Sequence, residues 1–228
     1  MSNIIAISGL KNSGKTEVSK MLEYLLNTPT FLHSWWCYRH LPKLFNKYKV
    51  VAFADKLKQM LAHLLNVDPE RFEDRDFKDN CDIDLSTLRL FKNPNRLSDR
   101  NFNRLLKSEE SLKDYSLTVR QLMQYFGTEI CQKHFGKKVW INTVLNNPNN
   151  LIISDLRFKE EAEAVKQKNG FLVYIYRTNI KPGNHASERE VIDLLNDRKF
   201  DWIINNDSSL ESLFYKVKEC ISHFSLKT

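Results

Sequence analysis

The residues with the clearest chemical spacing are Gly9-Leu10-Lys11-Asn12-Ser13-Gly14-Lys15-Thr16, which have the Gly-x4-Gly-Lys-Thr pattern of a phosphate-binding loop. The glycines allow the backbone to turn tightly, so that successive N–H groups face an anion. The loop follows the apolar run Asn3–Ser8 and precedes a helical pattern over Glu17–Leu26, so the helix N-terminus adds positive charge. An ordinary glycine-rich turn is the alternative, but the complete pattern favours binding of a nucleoside triphosphate.

Two further side chains could bind the phosphates and a metal ion. Lys15 should reach the β- and γ-phosphates, and the Thr16 hydroxyl is a candidate Mg²⁺ ligand. The apolar run Leu151–Ser154 ends at Asp155, which resembles a Walker B carboxylate that supports Mg²⁺ directly or through water. The sequence therefore predicts ATP as phosphoryl donor with Mg²⁺ as cofactor. The predicted ATP-binding residues are Gly9, Lys11, Asn12, Ser13, Gly14, Lys15 and Thr16.

Several arginines occur where a transferred phosphoryl group would need positive charge. Arg157 lies two residues after Asp155, and Arg177 follows the apolar run Phe171–Tyr176. We expect Arg120 and Arg157 to clamp an acceptor phosphate, while Arg177 closes from a lid that excludes water. The expected lid is residues 177–189, and the predicted catalytic residues are Lys15, Arg120, Asp155, Arg157 and Arg177.

Other polar residues mark a site for a second substrate. Asp55 and Lys58 follow the β-patterned run Lys49–Ala54, at the edge of a parallel sheet where ligands bind, although Asp55 could equally be a plain helix N-cap. Gln124 lies four residues after Arg120 on a predicted helix and shares its face. Glu161, on the helix after Arg157, is also expected near the site.

The order of the apolar runs predicts the elements that position these residues. Strand patterns alternate with helical patterns, which is typical of an α/β fold with a doubly wound parallel sheet flanked by helices, in a single domain spanning residues 1–228. Ser208 or Ser209 should cap a final amphipathic helix. The residues expected to face inward on that helix are Leu210, Leu213, Phe214 and Val217.

Two segments do not follow this alternation. Residues 28–48 are aromatic and basic, and they form either a loop and short helix packed on the sheet or a wall on which a base stacks. Residues 68–115 are charged and poorly periodic, which indicates an insertion with some short helix; its run Glu109–Asp114 is expected to be a solvated face. Gly127-Thr128 should interrupt the helix that contains Arg120.

Composition limits the class of protein. The net charge of +7 suits anionic ligands, and because basic residues are spread along the 228-residue chain, phosphate-rich small molecules are favoured over stable nucleic-acid binding. The four cysteines have no metal-ligand or redox spacing, and His185-x-x-Glu188 is too small a set for zinc. With no signal peptide and no apolar run of ~20 residues, we expect a cytoplasmic protein without membrane contact.

Five internal motifs and the C-terminal pattern carry a family resemblance. They are Gly-x-Lys-x-Ser-Gly-Lys at 9–15, Thr118-Val-Arg-Gln-Leu-Met-Gln-x-x-Gly-Thr-Glu129, Val139-Trp140, Ser154-Asp155-x-Arg157, His185-x-Ser187-Glu188, and Ile203-Ile-Asn-Asn-Asp-x-Ser-Leu-Glu-x-Leu213. Together they resemble phage-type deoxynucleoside monophosphate kinases. The resemblance implies transfer of the ATP γ-phosphoryl group to a deoxynucleoside 5′-monophosphate within nucleotide biosynthesis, in a homodimer.

The resemblance also implies which residues bind the acceptor. It assigns Arg120, Trp140, Asp155, Arg157 and Glu161 to the acceptor site or the transfer path. One departure is Thr16, since this position is commonly Asp in the family. The complete set of predicted substrate-binding residues is Asp55, Lys58, Arg120, Gln124, Trp140, Asp155, Arg157 and Glu161, and the predicted metal ligands are Thr16 and Asp155.

Three other functions remain open from the sequence. Animal-type phosphomevalonate kinase is similar in the loop, in Ser154-Asp155-x-Arg157 and in Phe200–Ile203, but lacks the pattern from Arg120 to Glu129. Dephospho-coenzyme A kinase is a second small-molecule kinase. An ATP-dependent nucleic-acid-binding module fits the basic charge and would need stacking aromatics on a basic face.

Overall fold

A computed structural model describes residues 3–85, 87–91, 97–108, 115–182 and 186–225. The described residues form two compact units. Unit 1 comprises Met1–Phe53 with Thr143–Thr228, and unit 2 comprises Ala54–Asn142. The expectation of a single domain over residues 1–228 stays a prediction. His185 and the charge run 109–114 lie outside the described residues.

The regular elements are short and numerous. The strands are β1 (Ile4–Ser8), β2 (Tyr48–Val51), β3 (Asp82–Asp84), β4 (Arg89–Phe91), β5 (Ser116–Thr118), β6 (Asn150–Ile153), β7 (Phe171–Tyr176) and β8 (Trp202–Asn205). The helices are α1 (Lys15–Leu26), α2 (Trp35–His40), α3 (Asp55–Leu64), α4 (Arg75–Asn80), α5 (Asp99–Ser108), α6 (Val119–Gln124), α7 (Lys133–Phe135), α8 (Val139–Leu145), α9 (Lys159–Gln167), α10 (Ala186–Asn196) and α11 (Leu210–Ser225). Thr30–Leu32 and Pro69–Glu73 are 3₁₀ turns, and Tyr125–Gln132 is a π-helix.

Unit 1 contains a five-stranded sheet in the order β2-β6-β1-β7-β8. Every neighbouring pair is parallel, and Ile5 of β1 lies beside Ile152 on one side and Phe171 on the other. All five residues of β1 are buried, as expected for the central strand of a sheet covered on both faces. The predicted α/β fold with a parallel sheet is therefore confirmed.

The helices of unit 1 pack on this sheet through aliphatic and aromatic side chains. Met21 and Leu22 of α1 share one buried cluster with Phe214 of α11, and Tyr38 of α2 stacks on the Phe214 ring at 5.3 Å. Segment 28–48 thus contains a short helix, as in the alternative in which it packs on the sheet, and the partly buried Tyr38 packs against this cluster. Ser209 caps α11 by accepting a hydrogen bond from Ser212 N–H at 3.2 Å, as predicted.

One residue of the last helix differs from expectation. Leu213, Phe214 and Val217 are buried, but Leu210 is 45% exposed, so its predicted inward position is wrong. Leu210 is the first residue of α11, where the helix starts beyond the edge of the buried cluster.

Unit 2 contains a three-stranded antiparallel sheet in the order β4-β3-β5. The predicted short helices of segment 68–115 are present as α4 and α5. The strands β3, β4 and β5 were not predicted, because three residues are too few to show an alternating pattern. Ile83 of β3 packs with Phe72, Phe77 and Leu61 in the core of this unit.

The predicted interruption at Gly127-Thr128 is wrong, since the chain stays helical there and widens into the π-helix Tyr125–Gln132. A Cβ on Gly127 would lie 2.9 Å from Leu57 Cδ2, so glycine permits close packing. The Gly127 carbonyl accepts a hydrogen bond from Trp140 Nε1 at 3.1 Å. This hydrogen bond satisfies a carbonyl of the π-helix. Helices of this type are rare and often occur at functional sites.

All four cysteines are free thiols. Within the described part of the chain, no helix combines the length and the apolar character that a bilayer span requires.

Candidate phosphate-binding site

The predicted phosphate-binding loop connects β1 to α1 and requires its two glycines. Gly14 is the N-cap of α1 with φ of +100°, a conformation that L side chains rarely adopt. A Cβ on Gly14 would lie 2.3 Å from Asn206 Nδ2, and one on Gly9 would lie 2.6 Å from the Ile175 carbonyl oxygen. Glycine at these two positions therefore lets the loop pack closely against β7 and Asn206 without a clash.

Lys15 is held over the loop by the loop's own backbone. Its Nζ donates to the carbonyl oxygens of Gly9 and Leu10 at 2.7 Å each. The pKa of Lys15 is lowered to about 8, chiefly by burial and also by the Arg157 charge, whereas the charges of Glu188 and Asp155 oppose this shift. The ammonium group is thus positioned beside the backbone donors that would receive phosphate.

Three residues from distant elements bind the loop backbone. Asn206, which follows β8, donates from Nδ2 to the Ser13 carbonyl at 2.8 Å, and Arg177, which follows β7, donates from Nη1 to the Asn12 carbonyl at 3.4 Å. Glu188 of α10 accepts a hydrogen bond from Lys11 N–H through Oε1 at 3.0 Å. Arg177 was predicted to lie in the site, whereas Asn206 and Glu188 were not predicted to contact the loop.

A signal for Asn206 was present in the sequence. Asn206 lies just beyond the apolar run Trp202–Ile204, as Asp155 lies just beyond its own apolar run, and the carboxyl ends of parallel strands meet at one edge of the sheet. For Glu188, the motif His185-x-Ser187-Glu188 was noted without a role.

Asp155 and Glu161 both accept backbone hydrogen bonds. Asp155 Oδ1 accepts from Phe53 N–H at 2.8 Å, which ties the end of β6 to the end of β2. Glu161 Oε2 accepts from the N–H groups of Arg157 and Phe158 at 2.8 and 3.0 Å, so it caps α9. The Glu161 carboxylate therefore contacts the backbone of Arg157, which is a structural role, and its predicted role in substrate binding stays a prediction.

The environment of Glu161 is unusual for a carboxylate. Its pKa is raised to about 8, chiefly by burial, although the hydrogen bonds from the Arg157 and Phe158 N–H groups act in the opposite direction. The Asp155 charge contributes to the rise. Asp155, Arg157 and Glu161 are consequently close enough to influence one another electrostatically.

The segment expected to be a lid begins as a loop. Thr178 donates from its N–H and its hydroxyl to the Asp207 carboxylate at 2.6 and 2.8 Å. These two hydrogen bonds hold the pKa of Asp207 below its ordinary value. Helix α10 begins at Ala186, so the loop is shorter at its C-terminal end than the predicted stretch 177–189.

The side chains near the loop fit a nucleotide with Mg²⁺. Ser13 Oγ is buried without a hydrogen-bond partner among the described residues, so it is available for a phosphate oxygen. Mg²⁺ in such sites needs only one or two protein oxygens, because phosphates and water supply the others. Thr16, which is exposed in the first turn of α1, and Asp155 offer these oxygens. The described residues contain no group of three or more His, Cys, Asp or Glu side chains that could hold a metal ion among themselves.

The other predicted substrate-binding residues lie in unit 2. Lys58 Nζ contacts Glu73 Oε1 at 2.6 Å and Asp55 Oδ1 at 3.4 Å. Asp55 is the first residue of α3 and Ala54 is the N-cap, so the N-cap alternative for Asp55 is wrong. The methyl side chain of Ala54 cannot cap the helix. Asp55 instead places a negative charge in the first turn of α3, where it interacts favourably with the helix dipole.

Arg120 and Gln124 lie on α6 and contact neighbouring polar side chains. Arg120 Nε forms an ion pair with Asp79, and half of the Arg120 side chain is exposed. Gln124 Nε2 lies 3.5 Å from Asn103 Oδ1. Thr118 caps α6 in a capping box with Gln121, which fixes the start of this helix.

Comparison with known proteins gives sequence relatives and structural neighbours. A putative deoxynucleotide monophosphate kinase of Acanthamoeba polyphaga mimivirus is 24% identical over 57% of this chain and 75% of its own. The deoxynucleotide monophosphate kinase of Enterobacteria phage T4 is 26% identical over 53% of this chain, and the match spans 52% of the phage protein.

Two solved structures align over nearly the whole chain at low similarity. Dephospho-CoA kinase from Campylobacter jejuni has a TM-score of 0.41 with 14% identity, covering 99% of this chain and 98% of its own. Shikimate kinase from Acinetobacter baumannii, in complex with shikimate, has a TM-score of 0.42 with 12% identity, covering 99% and 96%. At such TM-scores the fold assignment rests on the sheet order described above.

The family match covers more of the chain than either sequence relative. The family model "Deoxynucleotide monophosphate kinase" matches residues 81–217, which is more than half of the chain. This agrees with the resemblance carried by the motifs around Arg120, Asp155 and Asn206. The chain belongs to the deoxynucleotide monophosphate kinase family.

Proposed function

We propose that this protein transfers the γ-phosphoryl group of ATP to a deoxynucleoside 5′-monophosphate, giving ADP and the deoxynucleoside diphosphate. The observation that carries the proposal is the loop Gly9–Thr16, in which left-handed backbone at Gly14 and the tethered Lys15 ammonium form a cradle for phosphate. Membership of the deoxynucleotide monophosphate kinase family supports the choice of acceptor.

On the donor side, the loop N–H groups and the Ser13 hydroxyl bind the phosphates of ATP. Lys15 exchanges its contacts with the Gly9 and Leu10 carbonyls for the β- and γ-phosphates. Mg²⁺, when bound through Thr16 and Asp155, would neutralise charge that develops on the phosphates. Arg177, which already contacts the loop at Asn12, provides a further positive charge beside it.

On the acceptor side, Arg120 and Arg157 bind the monophosphate. The ion pair of Arg120 with Asp79 is exposed, so exchanging Asp79 for a phosphate costs Arg120 little energy. Arg157 lies beside Asp155 and is fixed through its backbone by Glu161. The remaining proposed acceptor contacts are Asp55, Lys58, Gln124, Trp140 and Glu161.

The proposed function also includes a cellular location and an oligomeric state. The free cysteines fit a reducing cytoplasm, which for a protein with viral relatives is that of the host cell. We further propose a homodimer without stable nucleic-acid or membrane contacts.

The test is release of ADP from Mg²⁺-ATP with each deoxynucleoside monophosphate supplied separately. Phosphomevalonate, dephospho-coenzyme A and single-stranded DNA are the comparators. We expect turnover with at least one deoxynucleotide, and Lys15→Met should abolish it. Turnover with phosphomevalonate or dephospho-coenzyme A alone, or ATP hydrolysis that only DNA stimulates, would overturn the proposal.

A pair of variants tests the acceptor assignment. Arg120→Ala should raise the KM for the monophosphate at least tenfold while ATP binding changes less than twofold, because only the acceptor loses its charged partner. Arg104→Ala, which removes another exposed arginine of unit 2, is the matched control. Unchanged monophosphate kinetics in Arg120→Ala would remove this residue from the acceptor site.

A further inference from the structure

Glu188 places a negative charge on the phosphate-binding loop itself. It lies in the first turn of α10, and its Oε1 accepts a hydrogen bond from Lys11 N–H at 3.0 Å. Lys11 is inside the Gly-x4-Gly-Lys-Thr pattern, whose backbone N–H groups bind anions in loops of this kind. A carboxylate therefore occupies a donor that the proposed function gives to a nucleotide phosphate.

Glu188 holds this backbone N–H across 177 positions of the chain, from the first turn of α10 to the loop. Carboxylate and phosphate oxygens compete for such donors because each N–H makes one strong hydrogen bond.

We propose that Glu188 is a placeholder for phosphate, which holds the Lys11 N–H in the nucleotide-free protein and is displaced by the polyphosphate of the incoming nucleotide. The proposal rests on the phosphate-binding role of the loop within the proposed function. It makes Glu188 a positioning residue that sets the affinity for polyphosphate. An anion of low charge displaces Glu188 poorly, because its hydrogen bond to the Lys11 N–H must be stronger than that of the Glu188 carboxylate.

The direction of the effect distinguishes this role from two others. If Glu188 were a ligand of Mg²⁺, removing its charge would weaken binding of Mg²⁺-ATP and leave metal-free ATP unaffected. If it only stiffened the loop, removing it would weaken both. A placeholder predicts tighter binding of both forms, since its removal relieves competition and like-charge repulsion.

The experiment measures dissociation constants by calorimetry for the native protein, Glu188→Gln and Glu188→Ala. Glutamine keeps the shape without the charge, and alanine removes the contact. The probes are inorganic tripolyphosphate, ATP with and without Mg²⁺, and adenosine. The matched control is Glu190→Gln on the same helix, where Glu190 Oε2 accepts from Lys159 N–H at 3.3 Å, outside the loop.

We expect Glu188→Gln to bind tripolyphosphate and both forms of ATP about fivefold more tightly, as for the loss of one charge-assisted hydrogen bond to a competitor. Glu188→Ala should show at least this gain. Glu190→Gln should stay within twofold of the native protein, and adenosine should bind all four proteins equally. In turnover, Glu188→Gln should lower the KM for ATP with kcat unchanged, which a general loss of structure would not produce.

Unchanged or weaker tripolyphosphate binding in both Glu188 variants would overturn the proposal. Two variants are used so that the test still holds if one of them does not fold. An equal gain in Glu190→Gln would also overturn it, because the effect would then reflect net charge. Tighter binding without any kinase turnover would support the placeholder while refuting the proposed acceptor. A native protein that binds no tripolyphosphate would refute both.

Discussion

Replacement of Gly14 by alanine tests whether the loop depends on its contact with the end of the sheet. The φ of +100° at Gly14 is left-handed, and an added Cβ would lie 2.3 Å from Asn206 Nδ2. Asn206 must then turn away, which breaks its 2.8 Å hydrogen bond to the Ser13 carbonyl. One methyl group therefore disturbs both the backbone of the loop and its anchor.

The cost can be worked from these two contacts. Left-handed backbone costs an L-residue ~1–2 kcal/mol, and the lost hydrogen bond costs ~1 kcal/mol. Alanine restores ~0.4–1 kcal/mol by restricting the unfolded chain. Gly14→Ala should therefore lower the free energy of unfolding by about 2 kcal/mol, and Asn206→Ala by about 1 kcal/mol.

The double variant tests whether the effects of Gly14→Ala and Asn206→Ala on the free energy of unfolding are additive. With Asn206 already truncated, the alanine methyl meets no clash and no further hydrogen bond is lost, so the pair should cost about 2 kcal/mol instead of about 3 kcal/mol. Urea denaturation of the four proteins measures the difference. Asn205→Ala is the control partner, since Asn205 does not contact a Cβ at Gly14 and its effect should add. Full additivity for Gly14→Ala with Asn206→Ala would refute the proposed contact.

Two further predictions concern Glu161 and Trp140. Burial raises the pKa of Glu161 from 4.5 to about 8, so the folded protein holds a proton that the unfolded chain has released; the free energy of unfolding should fall as pH rises from 4.5 to 8. In a plot of the urea midpoint against pH, Glu161→Gln should reduce the slope between pH 4.5 and 8. An unchanged slope would contradict the shifted pKa of Glu161. Trp140→Phe removes the hydrogen bond to the Gly127 carbonyl and should cost about 1 kcal/mol in urea denaturation, whereas the exposed Trp36→Phe should be nearly neutral; equal effects would contradict the role of the indole N–H.

Elements with a strong local signal were predictable from the sequence. The spacing of Gly9, Gly14 and Lys15 is sufficient to place the loop, because few backbones allow close approach to phosphate. The run Phe171–Tyr176 is apolar at every position, as a strand buried on both faces must be, and it was predicted with its observed bounds. The parallel sheet follows from the alternation of such runs with helices.

The features that were missed depend on partners far along the chain. The hydrogen bond between Asn206 and the Ser13 carbonyl joins residues 193 positions apart, and no local pattern encodes it. The same is true of Glu188 with Lys11. The π-helix follows from packing of Gly127 on Leu57 and from the indole of Trp140, whereas glycine by itself indicates a break.

The order of the strands has a consequence for synthesis on the ribosome. Among the described residues, β1 pairs with β6 and β7, so during synthesis the pairing of Ile4 must wait for Leu151, and that of Ile5 for Phe171, to leave the exit tunnel. Unit 2 is continuous in sequence, and all three strands of its sheet emerge before that point. During translation, unit 2 can fold while the apolar residues of β1 are still unpaired and exposed to chaperones or to neighbouring nascent chains.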